Sequence, residues 1–296
     1  MASLLVATGN SASNSADNTA LRAAGTLISN AFANAGWTKA NDAGQIDWTL
    51  VVANGTYNNV FGYEMWSMAG PLQNTSPVTV KIQYYATGTR EFGMLFLFGS
   101  GTDGALNLTG PAMTSAAAYC RQIALPSTSL PCFFCGSPNR IAMALWSATG
   151  NYGITFAIER THDAQGNDTA EGVILYDNST NVPMNHVVYW NAKTGVPGAA
   201  AESNTLPMFI PSNIWAPTDD GIQYCPIYPS NGAFLPPFLS FVGAYNGIVP
   251  NSGLFPQPIN LMHYGVSRRF LPLPYQTVPN RSGQTYTSFM PCMLYE

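Results

Sequence analysis

The first regular pattern in the chain is helical. Leu21, Ala24, Leu27, Ile28, Ala31 and Phe32 recur at three- and four-residue spacing, which places them on one face of a helix. Ser15 or Asp17 is positioned to cap its start, and Gly36 to stop it directly before Trp37. The period then changes to two. In PVTVKIQYY, Val78, Val80, Ile82 and Tyr84 lie on one side and Thr79, Lys81 and Gln83 on the other, the mark of a half-buried strand. After the turn residues Thr87 to Thr89, REFGMLFLFGSG carries apolar residues on both faces from Phe92 to Phe98, as in a strand covered on both sides. Shorter strands are predicted over 140–147, 152–160, 171–178 and 185–191, separated by Gly, Asn, Asp and Pro.

The run IDWTLVV also alternates, with Ile46, Trp48, Leu50 and Val52 on one side and Asp47, Thr49 and Val51 on the other. It predicts a strand entering the core just after the helix, then an Asn-Gly loop and a second aromatic strand across GYEMW. From about residue 205 the texture shifts, because 14 of the 22 prolines lie between Pro207 and Pro291, interleaved with aromatics. Proline removes ladder donors while aromatics supply area to bury, so this third reads as extended chain laid against a surface. The organisation expected is an N-terminal segment and helix over 1–36, then a mainly β domain over 37–204, an antiparallel β-sandwich or jelly-roll-like fold. An extended Pro/aromatic-rich C-terminal region over 205–296 would pack on the β domain or on a neighbouring subunit.

Composition narrows the partners. Asp, Glu, Lys and Arg make up 9% of the chain, against roughly 25% in an ordinary soluble domain. A surface this poor in charge favours permanent self-assembly over life as a free monomer. The net charge is −4, with no basic run, which argues against nucleic acid or an anionic membrane as the main partner. The N-terminal MASLLVATGNSASNSADN lacks the basic n-region and long apolar core of an export signal, and no segment has the length of a bilayer span. Five cysteines fall at 120, 132, 135, 225 and 292. The single Cys132-x-x-Cys135 pair is a weak signal for metal or redox chemistry, and reduced thiols packed as small hydrophobes are the plainer reading.

Motifs that resemble sites are better read as architecture. GSGTDG (99–104) fits the dinucleotide fingerprint, yet no helical pattern follows it, so a glycine-rich hairpin turn is expected. IERTHDAQGNDTAEGVIL (158–175) is the most charged stretch, with Glu159, Arg160, His162, Asp163, Asp168 and Glu171. It breaks the calcium-loop spacing and sits between two apolar runs, which indicates a polar hairpin loop on the solvent face. Asp47, Glu64, Asp219 and Asp220 lie among aromatics as a glycosidase pair would, but nothing in their spacing fixes the separation that chemistry needs. The three histidines, His162, His186 and His263, have no nucleophile context. No catalytic residue, cofactor or metal is assigned. Tyr57, Trp66 and Trp190 are the candidates for glycan or partner contacts, should the protein bind sugars.

Four stretches taken in order carry a resemblance: FANAGWTKANDAGQIDW, GYEMWSMAGPLQNTSPVTVKIQYY, FGSGTDGALNLTG and IERTHDAQGNDTAEGVILY. Over about the first 180 residues the chain resembles a family of uncharacterised structural proteins encoded in the morphogenesis regions of tailed bacteriophages and prophages. The resemblance implies a non-enzymatic virion component of the tail, neck or baseplate, built in the host cytoplasm, whose partners are copies of itself, in a ring or trimer, and other virion proteins. Capsid decoration and a receptor- or glycan-binding tail tip are the alternatives, with a polysaccharide depolymerase behind them.

Overall fold

A computed structural model describes residues 7–9, 18–52, 59–88, 91–113, 118–121, 130–146, 153–163, 167–177, 186–195, 197–198, 222–225, 239–244, 259–263, 266–272 and 289–294. Helix α1 spans Asn18–Asn34 and buries Leu21, Ala24, Ile28, Ala31 and Phe32, the stripe that the helical spacing marks. Its proposed N-caps, Ser15 and Asp17, lie outside the described residues. The C-terminus is closed as the sequence predicts. Gly36 adopts a left-handed φ of 86°, its N–H donates to the Ala33 carbonyl at 3.0 Å, and the Trp37 N–H donates to the Phe32 carbonyl at 3.1 Å. Trp37 meets Phe32 edge-on with ring centroids 5.2 Å apart, which completes a Schellman stop with its hydrophobic contact.

The described β residues form antiparallel sheets, so the chain is mainly β, as expected. One five-stranded sheet has the order β2-β3-β4-β5-β8. Its strands are β2 (Thr38–Lys39), β3 (Val60–Ser67), β4 (Thr79–Gly88), β5 (Glu91–Gly99) and β8 (Ala118–Arg121). A seven-stranded sheet, β1-β9-β10-β11-β12-β13-β14, contains β1 (Ala7–Gly9), β9 (Leu130–Ser137), β10 (Arg140–Trp146), β11 (Gly153–His162), β12 (Asp168–Asp177), β13 (His186–Asn191) and β14 (Pro197–Gly198). From β2 to β5 and from β9 to β14, strands consecutive in the chain are neighbours in the sheet. That is meander connectivity, without the strand-by-strand alternation between sheets of a jelly roll. Val78, Val80, Ile82 and Tyr84 are fully buried, as their alternation requires.

Both sheets and the helix supply one core. Phe32 of α1 stacks on Trp66 of β3 at 5.5 Å and on Phe156 of β11 at 6.0 Å. Phe96 of β5 meets Phe156 at 5.1 Å, and Phe98 stacks on Trp190 of β13 at 6.0 Å. Aromatic rings therefore bridge helix and sheets, where large apolar area and ring geometry act together.

The expected strand over 46–52 does not form. The Asp47 side chain accepts hydrogen bonds from the Thr49 N–H at 2.9 Å and hydroxyl at 2.6 Å, and the Leu50 N–H donates to the Asp47 carbonyl at 3.0 Å. This local turn outcompetes the extended chain. Its consequence is a split of the apolar side: Ile46 and Trp48 are buried, whereas Leu50 and Val52 are 73% and 66% exposed. The loop is held to α1 by Arg22 Nε, which donates to the Val51 carbonyl at 2.7 Å. It is also held by the Trp48 ring, which lies where a Cβ on Gly25 would be, 2.1 Å from its nearest atom.

The motif at 99–104 is a turn structure, as expected. Short strands β6 (Gly101–Thr102) and β7 (Leu108–Thr109) pair as a hairpin, with Asp103 accepting from the Ala105 and Asn107 N–H groups and from Asn107 Nδ2. Within 205–296 the described residues are β15 (Ile222–Cys225), β16 (Leu239–Ala244), β17 (Ile259–His263), β18 (Val266–Pro272) and β19 (Phe289–Leu294). They pair with one another in the order β15-β16-β19-β18-β17.

Two substitutions test this packing. Gly36→Ala, at a left-handed φ and with Pro138 Cγ 3.3 Å from the added Cβ, should lower unfolding free energy by about 1–2 kcal/mol in chemical denaturation. Gly25→Ala should destabilise by about 1–3 kcal/mol through overpacking against Trp48, despite alanine's higher helix propensity; a gain in stability would show that Trp48 does not seat on the helix.

Candidate functional site

The densest polar construction among the described residues is centred on Glu64. Strand β3 turns this side chain inward between α1, β2 and β4, where it is completely buried. Its Oε1 accepts from the Ser29 hydroxyl of α1 and from Lys39 Nζ of β2 at 2.7 Å. Its Oε2 accepts from the Tyr84 hydroxyl of β4 at 2.7 Å and from Trp66 Nε1 at 3.3 Å. Burial pushes the Tyr84 phenol well above its ordinary range, and the neighbouring Glu64 charge pushes it further. Tyr84 is therefore a fixed donor. Lys39 also sits 5.6 Å from the Trp66 ring centroid and keeps a partly exposed side chain. A buried carboxylate with four donors, one of them a cation, is electrostatically complete; its chemistry is to lock α1, β2, β3 and β4 together.

A second polar cluster occupies the seven-stranded sheet. Gly136 lies on the face toward α1, since a Cβ there would meet Ala35 at 2.6 Å, so the ladder partners Arg140 and Glu159 lie on the opposite face. Arg140 Nη2 donates to Asp168 Oδ1 of β12, and Asn139 Nδ2 donates to Asp168 Oδ2 at 2.7 Å. Glu159 is completely buried, and neither carboxyl oxygen has a hydrogen-bond partner. Arg160, on the core face, reaches the short 3-10 turn Pro71–Asn74 and the loop after it. Its Nη2 donates to the Ser76 carbonyl at 2.7 Å and to Gln73 Oε1 at 3.4 Å. Burial lowers Arg160 from its usual value while Asp168 opposes that shift.

The charged stretch 158–175 thus divides among separate tasks. β11 and β12 are its two arms. Asp163 closes the connection by accepting from the Asn167 N–H at 2.8 Å and Nδ2 at 2.9 Å, and Glu171 is exposed. The hairpin is as expected, but its charged residues are not all on the solvent face: Glu159 and Arg160 are completely buried within β11. The Cys132-x-x-Cys135 pair falls inside the single strand β9, where positions three apart lie on opposite faces. Cys135 is a buried free thiol, pushed up to about 12 chiefly by burial. No group of three metal-ligating side chains occurs among the described residues.

The aromatic candidates need correction. Trp66 and Trp190 are 3% and 0% exposed: one stacks on Phe32, the other on Phe98. They belong to the core and offer no platform to a sugar. Tyr57 lies outside the described residues, as do Asp219 and Asp220. Asp47 and Glu64 stand in opposed environments, the first solvent-exposed at its turn with its carboxyl lowered mainly by Thr49 hydrogen bonds, the second sealed in its network. Beside the Glu64 cluster runs an open groove of about 530 Å³ between the β2 and β3 ends and the 3-10 turn, lined by no charged residue. Sequence reasoning singled out Glu64 but missed Ser29, Lys39 and Tyr84. Ser29 and Tyr84 signal themselves only as polar atoms in α1 and in the core-facing row of β4, and Lys39 on β2 gives no such signal.

The network predicts graded losses. Glu64→Ala, which strands four donors, should cost about 3–5 kcal/mol of stability. Tyr84→Phe should cost about 1–3 kcal/mol. In a double-mutant cycle their effects should be strongly non-additive; simple additivity in denaturant titrations would mean that the hydrogen bond between them contributes nothing.

No family model and no curated protein matches the chain, so the assignment of this site rests on its own geometry.

Proposed function

We propose that the chain is a non-enzymatic structural component of a tailed-bacteriophage virion, of the tail, neck or baseplate, that works by subunit contact. The observation that carries this reading is where five of its described carboxylates go. Glu64 is saturated by donors from α1, β2, β3 and β4, Asp168 is held by Arg140 and Asn139, and Asp47, Asp103 and Asp163 each close a turn. Acids used in this way stiffen a fold; a general acid or nucleophile would be aimed at an accessible cavity. The resemblance over the first 180 residues and the 9% charge content point the same way, toward a chain whose surface is completed by neighbours. Leu50 and Val52, lifted into solvent by the Asp47 turn, add exposed apolar area of the kind that contacts between copies cover.

The sugar-binding alternative loses two of its three aromatic candidates to the core, and the structural reading is the stronger one. Two measurements test it. Purified full-length chain should sediment as a closed oligomer at micromolar concentration, and Leu50→Asp with Val52→Asp should shift that equilibrium toward monomer. Mass spectrometry of phage particles from a strain carrying the gene should find the chain at fixed stoichiometry; particles that lack it, or a chain monomeric at every concentration, would refute the proposal.

A further inference from the structure

Glu159 presents an unsolved electrostatic problem that its surroundings answer. It lies within β11, paired across the ladder with Arg140 on β10 and Ile174 on β12. Directly opposed residues of an antiparallel pair share a face, with Cβ atoms roughly 4.5–5.5 Å apart, so Arg140 is the cation that faces it. Arg140 is nonetheless bonded to Asp168, whose other oxygen is held by Asn139. Two carboxylates therefore stand beside one arginine. The Asp168 side chain is 18% exposed, whereas Glu159 is completely buried with both oxygens unpartnered.

We propose that Arg140 is shared between Asp168 and Glu159, and that the proton on Glu159 decides which carboxylate it binds. With Glu159 protonated, the buried group is neutral and Arg140 fastens the β9–β10 turn to the start of β12 through Asp168. Loss of that proton leaves a bare carboxylate with no donor on either oxygen, a state that a buried acid does not sustain unpaired. Arg140 then turns across the ladder to Glu159, and Asp168 keeps Asn139 and regains water. The turn that this releases is a junction of the fold. Its Pro138 carbonyl accepts from the Ala69 N–H at 2.9 Å and its Ser137 carbonyl from Trp37 Nε1 at 3.1 Å.

The electrostatics agree. Burial pushes the Glu159 carboxyl well above its ordinary range; Arg140 acts against that rise and Asp168 adds to it. On β9 the facing group is Cys135, whose thiol at about 12 stays protonated in the neutral range. On β12 the ladder pairs Ile174 with Glu159 and Tyr176 with Ala157, and on β11 itself the same face carries Ala157 and Thr161. The native state thus holds a proton that the unfolded chain releases near 4.5. From this group stability is highest in acid and falls as pH rises above that value through the folded pKa, by up to one proton, or tenfold in the unfolding constant per pH unit.

The test uses the full chain with carboxyl-13C labelled Asp and Glu, the two resonances assigned through Glu159→Gln and Asp168→Asn. Titration should show Glu159 ionising far above 4.5, with a second step in the Asp168 resonance at the same midpoint. Glu159→Gln should abolish that second step and flatten the fall in stability over the same interval. An Asp168 resonance that shows no step at the Glu159 midpoint, or a Glu159 midpoint in the ordinary carboxylate range, overturns the exchange. The wild-type titration decides the matter even if Glu159→Gln fails to fold, because the resonances are then assigned from Asp168→Asn and by elimination.

Discussion

A carboxylate taken completely out of water must be met by donors, and around Glu64 that requirement fixes the relative positions of α1, β2, β3 and β4. Ser29 has to approach from α1, Lys39 from the strand after the helix stop, and Tyr84 from the neighbouring strand. None of these residues is within twenty positions of Glu64 except by reaching that limit, so the network spans sequence distance as well as space. Because an orphaned donor or acceptor in such a site is expensive, small displacements of α1 against the sheet are resisted more steeply than apolar contact alone would resist them. The Gly36 stop matters for the same reason: it ends the helix where the chain can turn back and deliver Lys39.

Aromatic packing adapts to that polar frame. Trp66 stands at the interface of the two, its indole N–H directed to Glu64 and its ring stacked on Phe32. Trp48 packs on the other side, lying over Gly25 and meeting Tyr84 edge-on at 4.7 Å. Shape and charge are therefore coupled in a small region: altering Tyr84 disturbs a hydrogen bond and a ring contact together. Glycine at 25 is the residue that lets the loop after β2 lie flat on the helix.

This division explains what could be read from the sequence. The helix, its stop, and strands β4, β5 and β10 to β13 follow from periodicity because each is a local record of which side faces the core. The 46–52 segment shows where periodicity fails. Its alternation is real, but a single aspartate bonding two residues ahead carries a stronger local instruction than four alternating apolar residues. The Cys132-x-x-Cys135 pair is part of strand β9, whose Phe134 is core. Trp66 and Trp190 look like surface platforms in sequence, since an aromatic beside polar neighbours is ambiguous until the strand's faces are known. Glu64 and Glu159 stand out in the sequence only as acids, because most of the groups that surround them come from other strands or from the helix.

The scarcity of charge gives these buried groups their weight. Asp42, Glu64, Glu159 and Arg160 are all buried in a chain with 11 basic and 15 acidic residues, although charged side chains are rarely buried without partners. Each one placed inside leaves the exterior more neutral. Charge repulsion between copies is then weak, so whether two copies meet depends on shape and on apolar area such as Leu50 and Val52. Among the described residues, the buried acid that is fully partnered, Glu64, uses its ionic and hydrogen bonds to hold α1, β2, β3 and β4 together.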